Sequence, residues 1–197
     1  MRRTTFTVGC IVATLLWHTA RLHATDFFDK QTELAFPVDL GKAFHRVDTK
    51  KYDDERLGVY VGYNAEGAKA SVYIYDYGIT DIGAGIRSEA VRQHWLLAKQ
   101  DVESAVERGL YRSLKWVSDD DVIIDIASGT TVFCKAFMTF REVGPQGQES
   151  QLMHSELYLT GYKDRFLKVR FTYGDDNKRV GPDLRDAFLS ELCSLLK

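Results

Sequence analysis

Aliphatic residues recur at every second position in residues 58–63 and 70–77, which are separated by the turn-rich linker Asn64–Gly67. A period of two is typical of β-strands that bury one face, and so short a linker predicts a hairpin. The other face of this hairpin carries tyrosines, which include Tyr73 and Tyr75. The pattern therefore predicts an antiparallel sheet that starts with these two strands.

A different period follows the hairpin and predicts a helix. Ser88 is a preferred N-cap residue, and Gly109 suits the end of a helix. Between them, apolar residues recur at intervals of three and four positions, which places them on one side of a helix. This stripe, which needs a sheet to cover it, consists of Val91, Trp95, Ala98, Val102 and Ala105.

Further strand patterns fill most of the remaining chain. Four strand-like runs lie at residues 113–126 (interrupted at 118–121), 130–141, 151–162 and 166–173. Their connections are too short for the crossovers that parallel strands require, so we expect antiparallel pairing. A second amphipathic helix at residues 182–196 closes the chain.

These elements predict one α+β domain over residues 58–197, built on an antiparallel sheet of about six strands. Residues 25–57 are mixed and charged, with Pro37 and Gly41 among them, and we interpret them as an irregular lead-in with room for one short strand. The apolar stripe on each helix suits a position on either side of the sheet. Whether the two helices share one face therefore stays open.

The first 24 residues have the layout of a secretory signal. Arg2 and Arg3 precede an apolar stretch at residues 6–17, and a small-residue ending leads to Ala24, after which we expect cleavage. The apolar stretch is shorter than the roughly 20 residues that span a bilayer core. We therefore expect a periplasmic or secreted protein with no membrane span after cleavage.

The charge of the mature chain argues against two classes of partner. Cleavage would remove three of the 26 basic residues and none of the acidic ones, which leaves 23 basic against 28 acidic residues. Nucleic acids and anionic membranes attract proteins with an excess of lysine and arginine. The composition therefore predicts neither as a partner.

Two cysteines, Cys134 and Cys193, remain after the predicted cleavage. Each lies on the apolar side of its predicted element. An exported protein meets an oxidising compartment, where such a pair can close into a disulfide. Buried cysteine also behaves as a small hydrophobic residue, so two inert thiols are the alternative.

No motif in the sequence predicts a cofactor, a metal ion or catalysis. The glycines before Ser88 lack the parallel strand–helix–strand context of a dinucleotide site. His45, His94 and His154 have no second histidine or cysteine at ligand spacing. There is no Gly-x-Ser-x-Gly turn, and Cys134 lies within a predicted strand. The sequence therefore predicts a protein that is not an enzyme.

The most informative pattern is the difference between the two sides of the predicted sheet. One side is apolar, with Leu157, Leu159, Leu167 and Val169 among its residues, and is expected to be core. The other side combines aromatic rings with cationic groups, which suits a protein, peptide or small acidic ligand. The candidate residues of that face are Tyr73, Tyr75, Lys135, His154, Tyr158, Lys168 and Arg170.

An ordinary structural explanation competes with this hypothesis. Antiparallel sheets commonly bury one face and leave the other wet. Cross-strand ion pairs, here Glu156 with Lys168 or Arg170, would then stabilise the exposed side. In that case the face binds nothing.

The order hairpin, helix, four-stranded meander, helix resembles the PsbP-like architecture, named for a lumenal subunit of photosystem II. The segments Tyr73–Gly78 and Leu157–Tyr162 are also similar to those of uncharacterised secreted proteins of proteobacteria. The resemblance covers roughly residues 58–196. It implies a PsbP-like sandwich and a non-enzymatic accessory or binding module, and it implies no photosystem role.

Three functional hypotheses follow. The first is an exported binding or accessory module that uses the aromatic and cationic face. The second is a hydrolase or isomerase whose acid and base are His154 and Glu156, which point to one side of their strand. The third is an envelope assembly or interaction protein that engages a partner through a free sheet edge.

Overall fold

A computed structural model describes residues 25–126 and 129–196, so the predicted signal segment lies outside the described residues. The elements in chain order are β1 (Phe27–Asp29), β2 (Leu34–Phe36), β3 (Asp39–Leu40), β4 (Phe44–Lys51), β5 (Val59–Ala65), β6 (Ala68–Tyr75), α1 (Glu89–Glu107), β7 (Tyr111–Ile126), β8 (Gly129–Glu142), β9 (Met153–Tyr162), β10 (Arg165–Gly174) and α2 (Gly181–Leu195). The protein is thus α+β.

The main sheet has eight antiparallel strands in the order β3-β4-β5-β6-β10-β9-β8-β7. All six strands predicted from alternation belong to it. Strand β7 is continuous where the sequence suggests an interruption, because Ser118–Asp121 pair in regular register with Phe137–Cys134 of β8. Its two β-bulges lie earlier, near Arg112–Lys115 and Trp116–Ser118. A separate two-stranded hairpin is formed by β1 and β2.

The N-terminal segment predicted to be irregular contains several strands. Residues 25–57 hold four strands rather than an irregular segment, and two of them, β3 and β4, extend the main sheet. On β4 only Phe44 is buried, whereas the side chains that follow are partly or fully exposed. A strand that is wet on both faces carries no alternation, so its sequence shows no strand signal.

Helix α1 starts where the sequence predicts. The Ser88 hydroxyl accepts a hydrogen bond from the Val91 N–H at 3.2 Å, which caps the first turn. The predicted apolar stripe is buried on one side of the sheet, which we call the α1 face. The strand residues that form the core of the α1 face include Cys134, Ala136, Met138, Phe140, Leu157, Leu159 and Phe166.

Helix α2 covers the opposite side, which we call the α2 face. Phe188 of α2 packs edge-on against Phe44 at a centroid distance of 4.9 Å, and Leu192 is fully buried in the same cluster. Leu167, Val169 and Phe171 of β10 line this second core. The two helices therefore flank the sheet, which answers the question that the helix stripes leave open.

This arrangement excludes the disulfide considered from the sequence. Cys134 lies in the core of the α1 face and Cys193 in the core of the α2 face, so the sheet separates them. Both are buried free thiols. Burial raises the pKa of each thiol to about 11. They act as small hydrophobic residues.

No helix in residues 25–126 or 129–196 is long and apolar enough to cross a membrane.

Candidate functional site

The residues predicted to form one binding face lie on both sides of the sheet. Lys168 is opposite Leu159 and Arg170 is opposite Leu157, so both cations belong to the α1 face. Tyr73 and Tyr75 lie on the same side. Lys135, His154 and Tyr158 lie on the α2 face, which Glu156 shares.

The turn between β9 and β10 explains the difference. Tyr162 pairs directly with Arg165, which leaves a two-residue loop of Lys163 and Asp164, both with positive φ. With this loop, each odd-numbered residue of β9 pairs with an even-numbered residue of β10, and paired residues point to the same side of the sheet. Leu157 and Leu167, both odd-numbered, therefore point to opposite sides. The predicted pairing of Glu156 with Lys168 or Arg170 is therefore wrong.

Lys168 is partly buried among tyrosines on the α1 face. Its ammonium lies 5.0 Å from the centre of the Tyr73 ring and 5.3 Å from that of Tyr75. Burial lowers the pKa of Lys168, an effect that Asp101 opposes and Arg170 reinforces. Within the part of the chain that the structure describes, no carboxylate forms an ion pair with this ammonium.

Arg170 lies two positions further along the same strand and is also partly buried. Its Nε donates to the Ser155 hydroxyl at 3.1 Å and its Nη1 to the Tyr111 hydroxyl at 2.9 Å. The third donor group, Nη2, is buried and has no hydrogen-bond partner among the described residues. No carboxylate in residues 25–126 and 129–196 pairs with Arg170 either.

This side of the sheet opens to solvent toward strand β4. Lys50, Tyr60, Tyr73 and Lys168 follow one another across four neighbouring strands, and the rings of the two tyrosines are 5.1 Å apart. Both tyrosines are partly exposed and Lys50 is exposed. We call Tyr60, Tyr73, Lys168 and Arg170 the tyrosine–cation patch. It is an open surface rather than a cavity.

Tyr75 belongs to the core instead of this surface. It is 3% exposed, and its hydroxyl lies 2.7 Å from His94 Nε2. His94 in turn stacks on Phe166 with the ring centroids 4.1 Å apart. Burial holds the pKa of Tyr75 well above its ordinary value. The Tyr75 ring contacts the Lys168 ammonium from the buried side of the patch, so a ligand cannot reach Tyr75.

The α2-face residues surround a buried carboxylate. Glu156 is 2% exposed, and its Oε2 atom accepts from Lys135 Nζ at 3.0 Å and from the Tyr158 hydroxyl at 2.5 Å. Its Oε1 atom accepts from Arg185 Nη1 at 2.6 Å. Burial and the neighbouring Glu156 charge raise the pKa of Tyr158. Lys135 and Arg185 are already neutralised by Glu156, so they attract an anionic ligand only weakly.

Sequence reasoning missed Arg185, because a charged residue on an amphipathic helix is ordinarily solvated. Burial works against the charge of Arg185, but hydrogen bonds with Asp186 and Glu156 raise its pKa. A shallow cleft of about 280 Å³ lies beside this group, between α2 and the end of β7. Glu156 could have pointed to a residue such as Arg185. A glutamate between two buried strand residues is itself expected to be buried, and a buried carboxylate requires a cationic partner.

His154 has partners of its own. Its ring lies parallel to those of Phe137 and Tyr173, with centroid distances of 6.0 and 5.2 Å, and its Nε2 is 2.9 Å from Asp175 Oδ1. The hydrogen bond from His154 lowers the pKa of Asp175. His154 and Glu156 are therefore neighbours with separate partners, rather than an acid and a base that meet over a pocket.

Metal ligands are not clustered in the described residues. No group of three or more histidine, cysteine, aspartate or glutamate side chains there could hold a metal ion.

Comparisons with known proteins add little. No protein-family model matches the chain, and no curated protein is similar to it. Among solved structures, a Pseudomonas aeruginosa protein of unknown function, PA94, superposes with a TM-score of 0.37 and 10% sequence identity. The match covers 84% of this chain and 93% of that one. So loose a likeness supports no statement about function.

Proposed function

We propose that this protein is a binding or accessory module that holds a small acidic ligand at the tyrosine–cation patch. The observation that carries the proposal is the state of Lys168 and Arg170. Both cations are partly withdrawn from water, yet neither forms an ion pair with a carboxylate among the described residues. Elsewhere in the sheet, the partly buried cations Lys135 and Arg165 each have an acidic partner.

The chemistry of the patch favours an anion with a flat or apolar body. A carboxylate or phosphate above the patch can accept from the Lys168 ammonium, while Arg170, whose Nη2 is buried, adds a second positive charge two positions along the strand. The ring faces of Tyr60 and Tyr73 offer rigid contact area for the rest of the ligand. An anion would also relieve the cost of holding two like charges two positions apart on one strand.

Three further expectations belong to this proposal. Export to the periplasm or the medium is supported by the charged, apolar and small-residue layout of residues 1–24. A PsbP-like sandwich is supported by the order of elements, and a relation to secreted proteobacterial proteins by the segments Tyr73–Gly78 and Leu157–Tyr162. The absence of catalysis is supported by His154 and Glu156, each of which is held by its own partners.

The test is a titration of the purified protein with benzoate, which combines a carboxylate with a flat ring, followed by ¹⁵N–¹H NMR. We expect shifts confined to β6, β10 and the neighbouring part of β5. The variant Lys168→Met keeps the aliphatic stem and removes the charge, so it should lose most of the binding. The matched control Lys42→Met removes an exposed lysine far from the patch and should bind as the wild type does.

A purely structural role of Lys168 predicts a different pattern. Its cation–π contacts would then stabilise the fold, so Lys168→Met would lower the melting temperature while benzoate shifts stayed equal in both proteins. That result would overturn the proposal. Crystals of protein purified from its own compartment without denaturation give a second readout, because an unfilled, solvated patch in them would contradict a resident acidic ligand.

A further inference from the structure

Strand β7 is the last strand of the main sheet, and nothing in the described residues pairs with its outer edge. After the two bulges, its pairing with β8 runs without interruption from Ser118 to Ile126. The outward N–H and C=O groups of this regular stretch are therefore free to form a ladder with another strand. The opposite edge of the sheet is β3, which is only two residues long.

The side chains along this edge form an ordered pattern on the α1 face. Asp121, Ile123 and Asp125 point to that side and are all exposed, Ile123 by 62%. Val122 and Ile124 point the other way and pack against the core under α2. The edge therefore presents one apolar side chain between two carboxylates.

A cleft of about 550 Å³ lies beside Ile123 on the α1 face. Ile86 and Val132 supply apolar lining, and Arg87, Arg92 and Asp121 line the cleft as well. The wall of the cleft is fixed, because Gly85 and Gly161 exchange two backbone hydrogen bonds of 2.8 and 2.9 Å. The volume is within the range of protein ligand pockets and easily holds one large aliphatic side chain.

We infer that the edge at residues 121–125 binds an extended strand of a partner protein with a basic, apolar, basic sequence at alternate positions. The ladder supplies affinity and alternate side chains supply specificity in this mode of recognition. The apolar side chain lies opposite Ile123 and enters the cleft. The two basic side chains lie opposite Asp121 and Asp125, because opposite charges stabilise cross-strand pairs.

The same pattern argues against a second copy of this chain. Antiparallel pairing of two β7 strands centred on Ile123 would place Asp121 of each copy opposite Asp125 of the other. Like charges directly opposite each other destabilise a strand pair. The edge therefore favours a basic partner strand over itself.

The probe is a synthetic seven-residue peptide with lysine at its second and sixth positions, leucine at its fourth and threonine elsewhere. Binding of the fluorescently labelled peptide to the full chain is measured by anisotropy. We expect the double variant Asp121→Asn/Asp125→Asn to bind about tenfold more weakly, because two cross-strand charge pairs are lost. The matched control Asp39→Asn/Asp53→Asn removes two exposed carboxylates elsewhere and should leave the affinity unchanged.

Two altered peptides separate the contribution of the lysine charges from that of the backbone hydrogen bonds. Aspartate in place of both lysines should abolish binding, and methylation of alternate backbone nitrogens should do the same because it removes the ladder donors. Equal binding of the lysine and aspartate peptides, or of the methylated peptide, would overturn the inference, as would no binding at all. Lys168→Met should bind the lysine peptide normally, which keeps this test independent of the acidic-ligand site.

A protective role of the carboxylates predicts the reverse behaviour. Charged side chains on an edge strand can serve only to prevent self-association. The Asp121→Asn/Asp125→Asn variant would then form dimers or larger species in sedimentation experiments, with no loss of peptide affinity. That outcome would also overturn the inference.

Discussion

Glu156 and Arg185 form an ion pair between the sheet and helix α2, with Arg185 Nη1 2.6 Å from Glu156 Oε1. The second carboxylate oxygen contacts Lys135 of β8 at 3.0 Å. One buried carboxylate thus joins β8, β9 and α2. The apolar contacts of α2 hold the helix against the sheet, and this ion pair adds a specific position and orientation.

Replacing this carboxylate should destabilise the fold. Glu156→Gln keeps the shape of the side chain but leaves Lys135 and Arg185 without their anion. Breaking a buried pair from one side costs about 3–5 kcal/mol, and the partial exposure of both cations places the expected loss at roughly 3 kcal/mol. Urea denaturation of wild type and variant measures the difference in the free energy of unfolding.

A surface ion pair provides the matched control. Glu142 contacts Lys69 at 2.7 Å, but the two side chains are 38% and 50% exposed. Glu142→Gln should therefore change the free energy of unfolding by less than about 1 kcal/mol. Equal effects of Glu142→Gln and Glu156→Gln would show that the buried carboxylate adds nothing to stability.

Sequence patterns predict the helices and six of the eight main-sheet strands because each of these elements buries or partly buries one face. Helix α1 has both an N-cap serine and a full apolar stripe. Strand β4 shows no alternation of buried and exposed residues, since Phe44 is its only buried residue. Backbone hydrogen bonds to β5 hold it in the sheet, and a pattern of side chains along one segment does not reveal such pairing.

The candidate face failed at two points, the length of one loop and helix α2, which covers the side that carries Lys135 and Tyr158. Strands β8 and β9 were assigned to the correct faces, because Leu157 and Leu159 share a side with Ala136. A loop one residue longer than Lys163–Asp164 would have placed Lys168 with Glu156, as predicted. Since one residue of slip inverts every side chain on a strand, the face of β10 depends on a turn that its sequence leaves ambiguous.

The two cysteines should stay reduced even in an oxidising compartment. They lie on opposite faces of the sheet, and burial raises the pKa of both thiols to about 11. Iodoacetamide at pH 8 should leave Cys134 and Cys193 unmodified in the native protein and alkylate both in urea, as read by peptide mass spectrometry. A peptide pair linked through these two residues would contradict the separation of the cores.

Gly161 should tolerate no side chain. The loop at residues 83–85 crosses β9 so closely that a Cβ atom at position 161 would collide with the carbonyl oxygen of Gly83. Gly161→Ala should therefore cost about 1–3 kcal/mol of unfolding free energy and loosen one wall of the cleft beside Ile123. Thermal and urea unfolding measure the first effect.

Gly174 is the matched glycine for that experiment. The atoms nearest to a Cβ there would be the ends of the Gln151 and Asp176 side chains, which can move away. Gly174→Ala should therefore be the milder substitution. If Gly161→Ala is as stable as Gly174→Ala, the loop at residues 83–85 does not lie against Gly161.

His94 should make the fold sensitive to acid. It is 3% exposed, and burial together with the nearby Lys168 lowers its pKa to about 4 from an ordinary value of 6.5. The unfolded chain therefore binds the imidazole proton more tightly than the native protein does, so protonation favours unfolding. The stabilisation is complete above pH 6.5 and is lost as the pH falls toward 4, which amounts to roughly 2–3 kcal/mol at pH 4.5. Urea unfolding at several pH values measures this loss, and His94→Gln should reduce it by that amount.

His45→Gln, which removes an exposed histidine, is the matched control. Equal pH dependence in wild type and His94→Gln would mean that other groups cause the acid sensitivity.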